Sequence, residues 1–369
     1  MRILYLDNLG ADYGSYFLYH GLVGLLGAEN VVDWPCKPSF HGGRDNYPDR
    51  ITNGQWTVGP PHATLWADSS LWQAWARPQD FPAAKNANSG PCHFYEPIPT
   101  SAWTYEQVAD GISNGQFDLA ILASPRWFNS AALHELQTKM GSKMPPLVMH
   151  DAEDYEDVRT DFVQQFRPRL YFKRTLIRGQ PRKPSSCPVH PFPFSSMWDI
   201  PWVPWRDRTT DVFCVFGMTQ AMRPKVKALV EACAARHGAR IRTAIGHPLA
   251  HPEYLKELAN SKIVIDHQGR GSDTMRTWEA FAAGACVFTD MQLEMPAPLE
   301  PNRHFVHYPR DEHHAGVAQD LGPLELKLDA ALRALPEVER IARAGYDQVR
   351  AFHTTKARAQ YLLDMVRAC

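Results

Sequence analysis

Toward its C-terminal third the chain reads "SKIVIDHQGRGSDTMRTWEAFAAGACVFTD", with a guanidinium at Arg276 and a carboxylate at Glu279 one helical turn apart in an otherwise apolar helix pattern. Met275, Trp278, Phe281 and Ala282 recur at helical spacing and predict a face packed on a sheet, so the two charges must look elsewhere. Two readings fit. An i,i+3 salt bridge on the surface is common and contributes little. Alternatively, a loop between a strand and a helix N-terminus is where doubly wound proteins hold anions, because backbone N–H groups point at the ligand there. Gly269 and Gly271 let the backbone approach such a ligand closely, and His267, Asp273 and Thr274 share the same loop. "FGMTQAMRPK" repeats the arrangement, with a strand ending at Gly217 followed by Thr219, Arg223 and Lys225 at a second helix start. It reads either as a second phosphate clamp or as a tight turn with solvated basic residues.

Moving a proton needs a positioned Asp, Glu or His. "LVMHDAEDYEDVR" puts His150 and Asp151 at the end of a predicted strand, His150 as a candidate base and Asp151 as the group orienting it. Asp151, Glu153 and Asp154 also make an ordinary acidic helix start that complements the helix dipole. The loop "NLGADYGSY" offers Asp12 as a further base and Tyr13 as an acceptor contact. No zinc-type ligand spacing occurs, so no metal site is predicted, and neither a G-x-S-x-G elbow nor a P-loop is present. "RPRLYFKRTLIRGQPRKP" carries Arg167, Arg169, Lys173, Arg174, Arg178, Arg182 and Lys183 without an acid, interleaved with Tyr171 and Phe172. It reads as a nucleic-acid or polyanion surface, or as a solvated edge strand; Arg174 is a candidate acceptor contact.

The elements that must position these residues follow from periodicity. "RILYLD", "FDLAILAS" and "PPLVMHD" are apolar strand patterns separated by helical ones, the opening of an α/β domain spanning 1–187. A stretch over about 34–105, rich in Pro, Gly, Asn and His and bearing six Trp residues from Trp34 to Trp103, predicts an insert with little regular structure. "CPVHPFPFSSMWDIPWVPW" is too proline-rich for helix or central strand and is read as a linker over 188–205. Strand patterns at 211–217, 240–246, 262–268, 285–290 and 304–309, with helical patterns between most of them, predict a second α/β domain over 206–340, closed by helices over 341–369. The fold class expected is therefore α/β, with two Rossmann-like domains facing across a cleft and ligands beyond the carboxyl ends of the strands.

Composition narrows the partners. A chain of 369 residues predicts two domains, and 39 basic against 40 acidic residues supply no global field for nucleic acid or membrane. The start "MRILYLDNLG" has no leader pattern and no stretch reaches the length of a membrane span. Seven cysteines without a C-x-x-C pair fit a reducing cytoplasm.

The run R-x-x-E-A-x-A-x-G formed by Arg276, Glu279, Ala280, Ala282 and Gly284, followed by a strand ending in Thr289 and Asp290, resembles the donor-binding half of two-domain glycosyltransferases of the GT-B type. "MRILYLD...DYGSYFLYHGL", "HDAEDYEDVR...YFKRTL" and "AGYDQVRAFHTTKARAQYLL" are similar to the spore-maturation-protein-like (CgeB-like) branch. The resemblance implies that Glu279 accepts hydrogen bonds from the donor ribose and that Arg276 neutralises diphosphate. The co-substrate it implies is a nucleotide-diphosphate sugar, UDP-sugar first, with no further cofactor. Many retaining members of the wider class carry a second Glu at the position of Gly271; Asp273 is the nearest substitute as a ligand of the donor sugar. The acceptor is left open between glycan, protein, small molecule and DNA. A modified nucleic-acid base as acceptor, and a non-catalytic scaffold, stand as alternatives.

Overall fold

The computed structural model describes residues 1–7, 13–34, 51–52, 55–56, 103–125, 127–179, 185–197, 199–217, 220–246, 249, 251–269, 271–309 and 320–369. Asp12, Thr219, Arg182, Lys183 and most of the Trp-rich stretch lie outside the described residues.

The first half builds β1 (Ile3–Asp7), α1 (Tyr13–Leu26), β2 (Val31–Asp33), a short hairpin β3 (Ile51–Thr52) and β4 (Gln55–Trp56), α2 (Tyr105–Ser113), β5 (Leu119–Ala123), α3 (Trp127–Met140), β6 (Leu147–Asp151), α4 (Thr160–Phe166), β7 (Leu170–Lys173) and β8 (Val189–Pro191). Six of these strands form one parallel sheet in the order β2-β1-β5-β6-β7-β8. Its inner strands are buried on both faces, as near-continuous apolar runs demand. The edge-strand reading of the 167–183 stretch is corrected: β7 is internal, and the edge is β8, drawn from the predicted linker. Pro191 ends that strand, and an edge strand tolerates the missing N–H.

The second half builds β9 (Thr210–Phe216), α5 (Arg223–Arg236), β10 (Ile241–Ile245), α6 (His251–Ala259), β11 (Ser261–Asp266), α7 (Met275–Ala282), β12 (Cys286–Thr289), β13 (Val306–His307), α8 (Gly322–Arg333), α9 (Leu335–Phe352) and α10 (Thr355–Ala368). Its five strands are all parallel, in the order β10-β9-β11-β12-β13.

The two closing helices belong to different halves. α9 packs on α7 and β12, whereas α10 crosses back onto α1. His353 is fully buried at the break between them, and Thr354 caps α10 by accepting from the Ala357 N–H. The crossing of α1 and α10 is close: a Cβ on Gly21 would stand 2.2 Å from the Thr355 carbonyl oxygen. A single apolar cluster accordingly runs from Ile3, Tyr5 and Val148 through Phe192, Phe194 and Ile200 of the connecting segment to Trp278, Phe281 and Leu362. An antiparallel bridge between Ile177 and Leu293 adds backbone bonds across the halves, Arg178 N to Gln292 O at 2.8 Å and Glu294 N to Leu176 O at 2.8 Å. Among the described residues no helix is long and apolar enough to cross a membrane.

Candidate functional site

In a sheet of order β10-β9-β11-β12-β13 the connections leave in opposite directions on either side of the gap between β9 and β11. A crevice therefore opens beyond the carboxyl ends of those two strands. Gly217 lies at one rim, and the loop from His267 to Thr274 at the other. Arg223, on the first turn of α5, joins them. Its guanidinium donates to the carbonyls of Gly217 (2.8 Å), His267 (3.0 Å) and Gln268 (3.2 Å). Gln220 adds a bond to the Gly269 carbonyl at 2.7 Å. Arg223 was expected to hold phosphate; in this structure its donors shape the crevice instead. Lys225 is exposed one helical step further on.

Asp266 is the hub of the far rim. Buried at the last position of β11, it accepts from Thr274 Oγ1 at 2.9 Å, from Thr277 Oγ1 at 2.5 Å and from Arg276 Nη1 at 3.1 Å. Thr274 also caps α7 by accepting from the Thr277 N–H. Arg276 stands over the Phe216 ring, 5.1 Å from its centroid, and its Nε is buried with no hydrogen-bond partner among the described residues. Burial opposes its charge, but Tyr254, Asp266 and Glu279 outweigh that and hold the guanidinium above its ordinary pKa.

The surface salt bridge between Arg276 and Glu279 is not formed. Glu279 is 3% exposed and pairs with His251 Nε2 at 3.1 Å. Burial together with the Glu279 charge pushes the hydroxyls of Tyr254 and Tyr13 up from their ordinary pKa. Tyr13 opens α1 of the first half and Glu279 lies on α7 of the second, so two predicted site residues are brought into electrostatic reach across the cleft. His267 is buried with Nδ1 3.2 Å from the Tyr308 hydroxyl and 3.3 Å from Asp290, which orients the loop from beneath.

Asp273 does not face the crevice. Its two oxygens accept from the Phe194 N–H at 2.6 Å and the Trp278 indole N–H at 2.9 Å, and its side chain is fully buried. It fastens the connecting segment to α7, which corrects its expected role as a ligand of the donor sugar. Gly271 abuts the other half: a Cβ there would meet Asp154 Oδ1 at 2.8 Å and Arg174 Nη2 at 3.2 Å. Gly269 donates its N–H to the Gly271 carbonyl at 3.2 Å.

The matching crevice of the first half opens between β1 and β5. Asp7, fully buried at the end of β1, accepts from Ser15 Oγ at 2.9 Å. Ser124, at the end of β5, has φ 47°, a left-handed backbone held by its N–H bond to the His150 carbonyl at 2.7 Å. Sequence reasoning missed Asp7, Ser124 and Asp266. An acid ending an apolar strand is the signal that would have found two of them, since a buried carboxylate must have partners.

His150 and Asp151 come apart. Successive strand residues point to opposite faces, so Asp151 cannot orient the His150 ring. His150 is 1% exposed beside Phe192, whose ring is 4.9 Å away edge-on. Asp151 is spent on Lys173 Nζ at 3.1 Å, on the Tyr171 hydroxyl and on the Glu153 N–H at 3.0 Å. Arg174 pairs with Asp154, lies 3.9 Å from Asp273 and covers the Phe194 ring, at the seam between the halves. With Lys173, Arg174, Tyr171 and Phe172 buried, the basic and aromatic surface read from the sequence is dismantled; Arg167, Arg169 and Arg178 remain exposed.

Residues 213–364 match the family model described as glycosyl transferase-like. No curated protein matches the chain. Among solved structures, an alpha-glucosyltransferase in complex with UDP-glucose and DNA containing an abasic site is similar at 11% identity and a TM-score of 0.52, over 100% of this chain and 99% of that one. Anabaena Alr3699/HepE in complex with UDP and glucose is similar at 10% identity and a TM-score of 0.49, with 100% of both chains covered. The GtfA/B complex is matched at 12% identity and a TM-score of 0.46 over 74% of this chain, which spans only 62% of that one. The two Rossmann-like halves are thus those of the GT-B fold.

Proposed function

We propose that the protein is a glycosyltransferase that takes a sugar from a nucleoside-diphosphate sugar, UDP-sugar first, and passes it to an acceptor seated where the first half meets the second. The observation that carries this reading is the rim at β11 and α7. There a capped helix N-terminus, the Nε of Arg276 with no partner among the described residues, and the carboxylate of Glu279 gather at the switch point of the second sheet.

A diphosphate leaving group gains negative charge as the glycosidic bond breaks. A guanidinium and helix N-terminal amides fixed in advance stabilise that charge without reorganising. Asp266 holds Arg276 in place from below, and Arg223 fixes the carbonyls of Gly217, His267 and Gln268 at the crevice rim. Glu279, held by His251, is set to accept from the ribose hydroxyls. Tyr13 approaches from the other half, so that closing the cleft excludes water that would otherwise hydrolyse the donor. Among the three candidate bases, His150 and Asp151 are sealed in the sheet, which leaves Asp12 as the group to test on the acceptor side. No metal is assigned a role, and turnover is expected to survive EDTA.

The test is a thermal-shift panel of UDP, GDP, dTDP, ADP and CMP on wild type and Arg276→Ala. A nucleotide at about 100 times its dissociation constant adds roughly 2.7 kcal/mol. Stabilisation by one diphosphate, lost in the variant, is expected, together with steady release of that nucleotide from its sugar conjugate. Binding without any release would move the protein to the non-catalytic scaffold.

A further inference from the structure

A cavity of about 220 Å³ lies at the far edge of the second sheet, lined by Met291, Leu293, Met295, Leu299 and Phe305, with Arg178, Gln292 and His307 as its polar members. It is walled by both halves, because the Ile177 to Leu293 bridge lays the strand-like segment bearing Arg178 against the 291–305 segment. The volume is below the roughly 300–1,000 Å³ of a site for a whole drug-sized ligand, so it suits one ring or a short chain of a larger molecule.

Its polar members point to what that molecule carries. Arg178 is exposed at the rim. His307 Nε2 is buried and has no hydrogen-bond partner among the described residues. Burial, with Lys327 and Arg178 nearby, lowers the pKa of His307, so its ring is neutral at pH 7 and offers one nitrogen as donor or acceptor. Of the two acids on the same segment, Glu300 is engaged by Arg303 at 3.2 Å, and Glu294, between Leu293 and Met295, is not among the residues that line the cavity. The interior is therefore apolar and pliable, since thioethers repack readily around irregular shapes, and its mouth is cationic.

The position ties the cavity to the crevice. Asp266 pairs in register with Thr289, and Thr289 with His307. Parallel partners face the same side, so His307 stands two strands from Asp266 on the same face, about 10 Å away at the usual strand spacing. A transferred sugar fits between the two points.

We propose that this cavity is the acceptor subsite and takes the apolar end of a small molecule bearing an acidic group, the apolar part on Met291, Leu293, Met295 and Phe305 and the acid at Arg178. The proposal rests on the glycosyltransferase reading and narrows its acceptor from glycan, protein or DNA to an amphiphilic acid.

Decanoate and decanol, below their micellar concentrations, are the probes, titrated calorimetrically into wild type, Arg178→Glu and Met295→Trp, with UDP-induced stabilisation followed in parallel. Wild type is expected to bind decanoate at least fivefold more tightly than decanol. Arg178→Glu, a surface change, is expected to abolish that preference and leave decanol binding intact. Met295→Trp, which fills the cavity, is expected to weaken both at least tenfold while UDP still stabilises the protein. Absence of decanoate binding in wild type, or binding indifferent to both variants, overturns the proposal even if UDP binds. Decanoate binding of the expected pattern without any nucleotide binding would keep the cavity as a ligand site and overturn its role as an acceptor subsite.

Discussion

At the scale of the residue, the chain places charges where burial makes each one conditional on a partner. Arg276 was legible in the sequence as a charge that could not sit in the apolar face, but Asp266, which holds it, was not, because a strand-ending acid ten residues upstream has no periodic relation to the helix. Asp273 shows the same dependence with a measurable consequence. Burial raises its carboxyl to about 6, against the opposing pull of Arg174, the Phe194 N–H and the Trp278 indole. In the unfolded chain the same group ionises near 4. Between those values the folded state holds the additional proton, so its contribution to stability is fully present below the unfolded pKa and declines as pH rises from about 4 to about 6, by on the order of 3 kcal/mol, then stays level. Urea melts of wild type and Asp273→Asn across pH 4 to 7 check this. The wild type is expected to lose more stability than the variant over that window, and parallel profiles would remove Asp273 as the titrating group.

At the scale of the element, helices and strands were readable from spacing, and their ends were set by contacts the sequence does not display. "HFVHYP" predicts a strand of six residues, yet only Val306–His307 pair, because the sheet edge offers β13 a partner on one side alone. The predicted linker supplies an edge strand, since Val189–Pro191 meets β7 with the one geometry a proline allows. The loop before α7 is constrained by the facing half. Gly271 stands eight residues before Glu279, and a side chain there would run into Asp154 and Arg174. Gly271→Glu is thus expected to push the loop off the seam and to reduce UDP stabilisation well below that of wild type. An unchanged nucleotide shift would mean that the Asp154 to Arg174 pair yields at no cost.

At the scale of the whole molecule, α10 decides how the halves act together. It returns to α1, and Arg358 on it donates to the Pro193 and Phe194 carbonyls while covering Trp278, so one helix touches the first half, the connecting segment and the donor side. Gly21→Leu drives a side chain into the Thr355 carbonyl and the Ala359 methyl. Overpacking of this kind costs about 1–3 kcal/mol or more, and calorimetry is expected to show a single transition in wild type that drops in temperature and broadens or splits in the variant. An unaltered melt would show that the crossing does not couple the halves. The sequence by itself determined the α/β class, the two parallel sheets and the loop-to-helix signature at Arg276 and Glu279. Each of these rests on local periodicity or on residues a few positions apart, which a linear reading can weigh. Only the tertiary structure decided that His150 and Asp151 turn to opposite faces, that Lys173 and Arg174 are buried ion-pair partners and not a basic surface, and that Asp273 faces inward. Those outcomes depend on which distant groups meet each side chain once two sheets and a returning helix have packed, and burial of a charge is settled by that company alone.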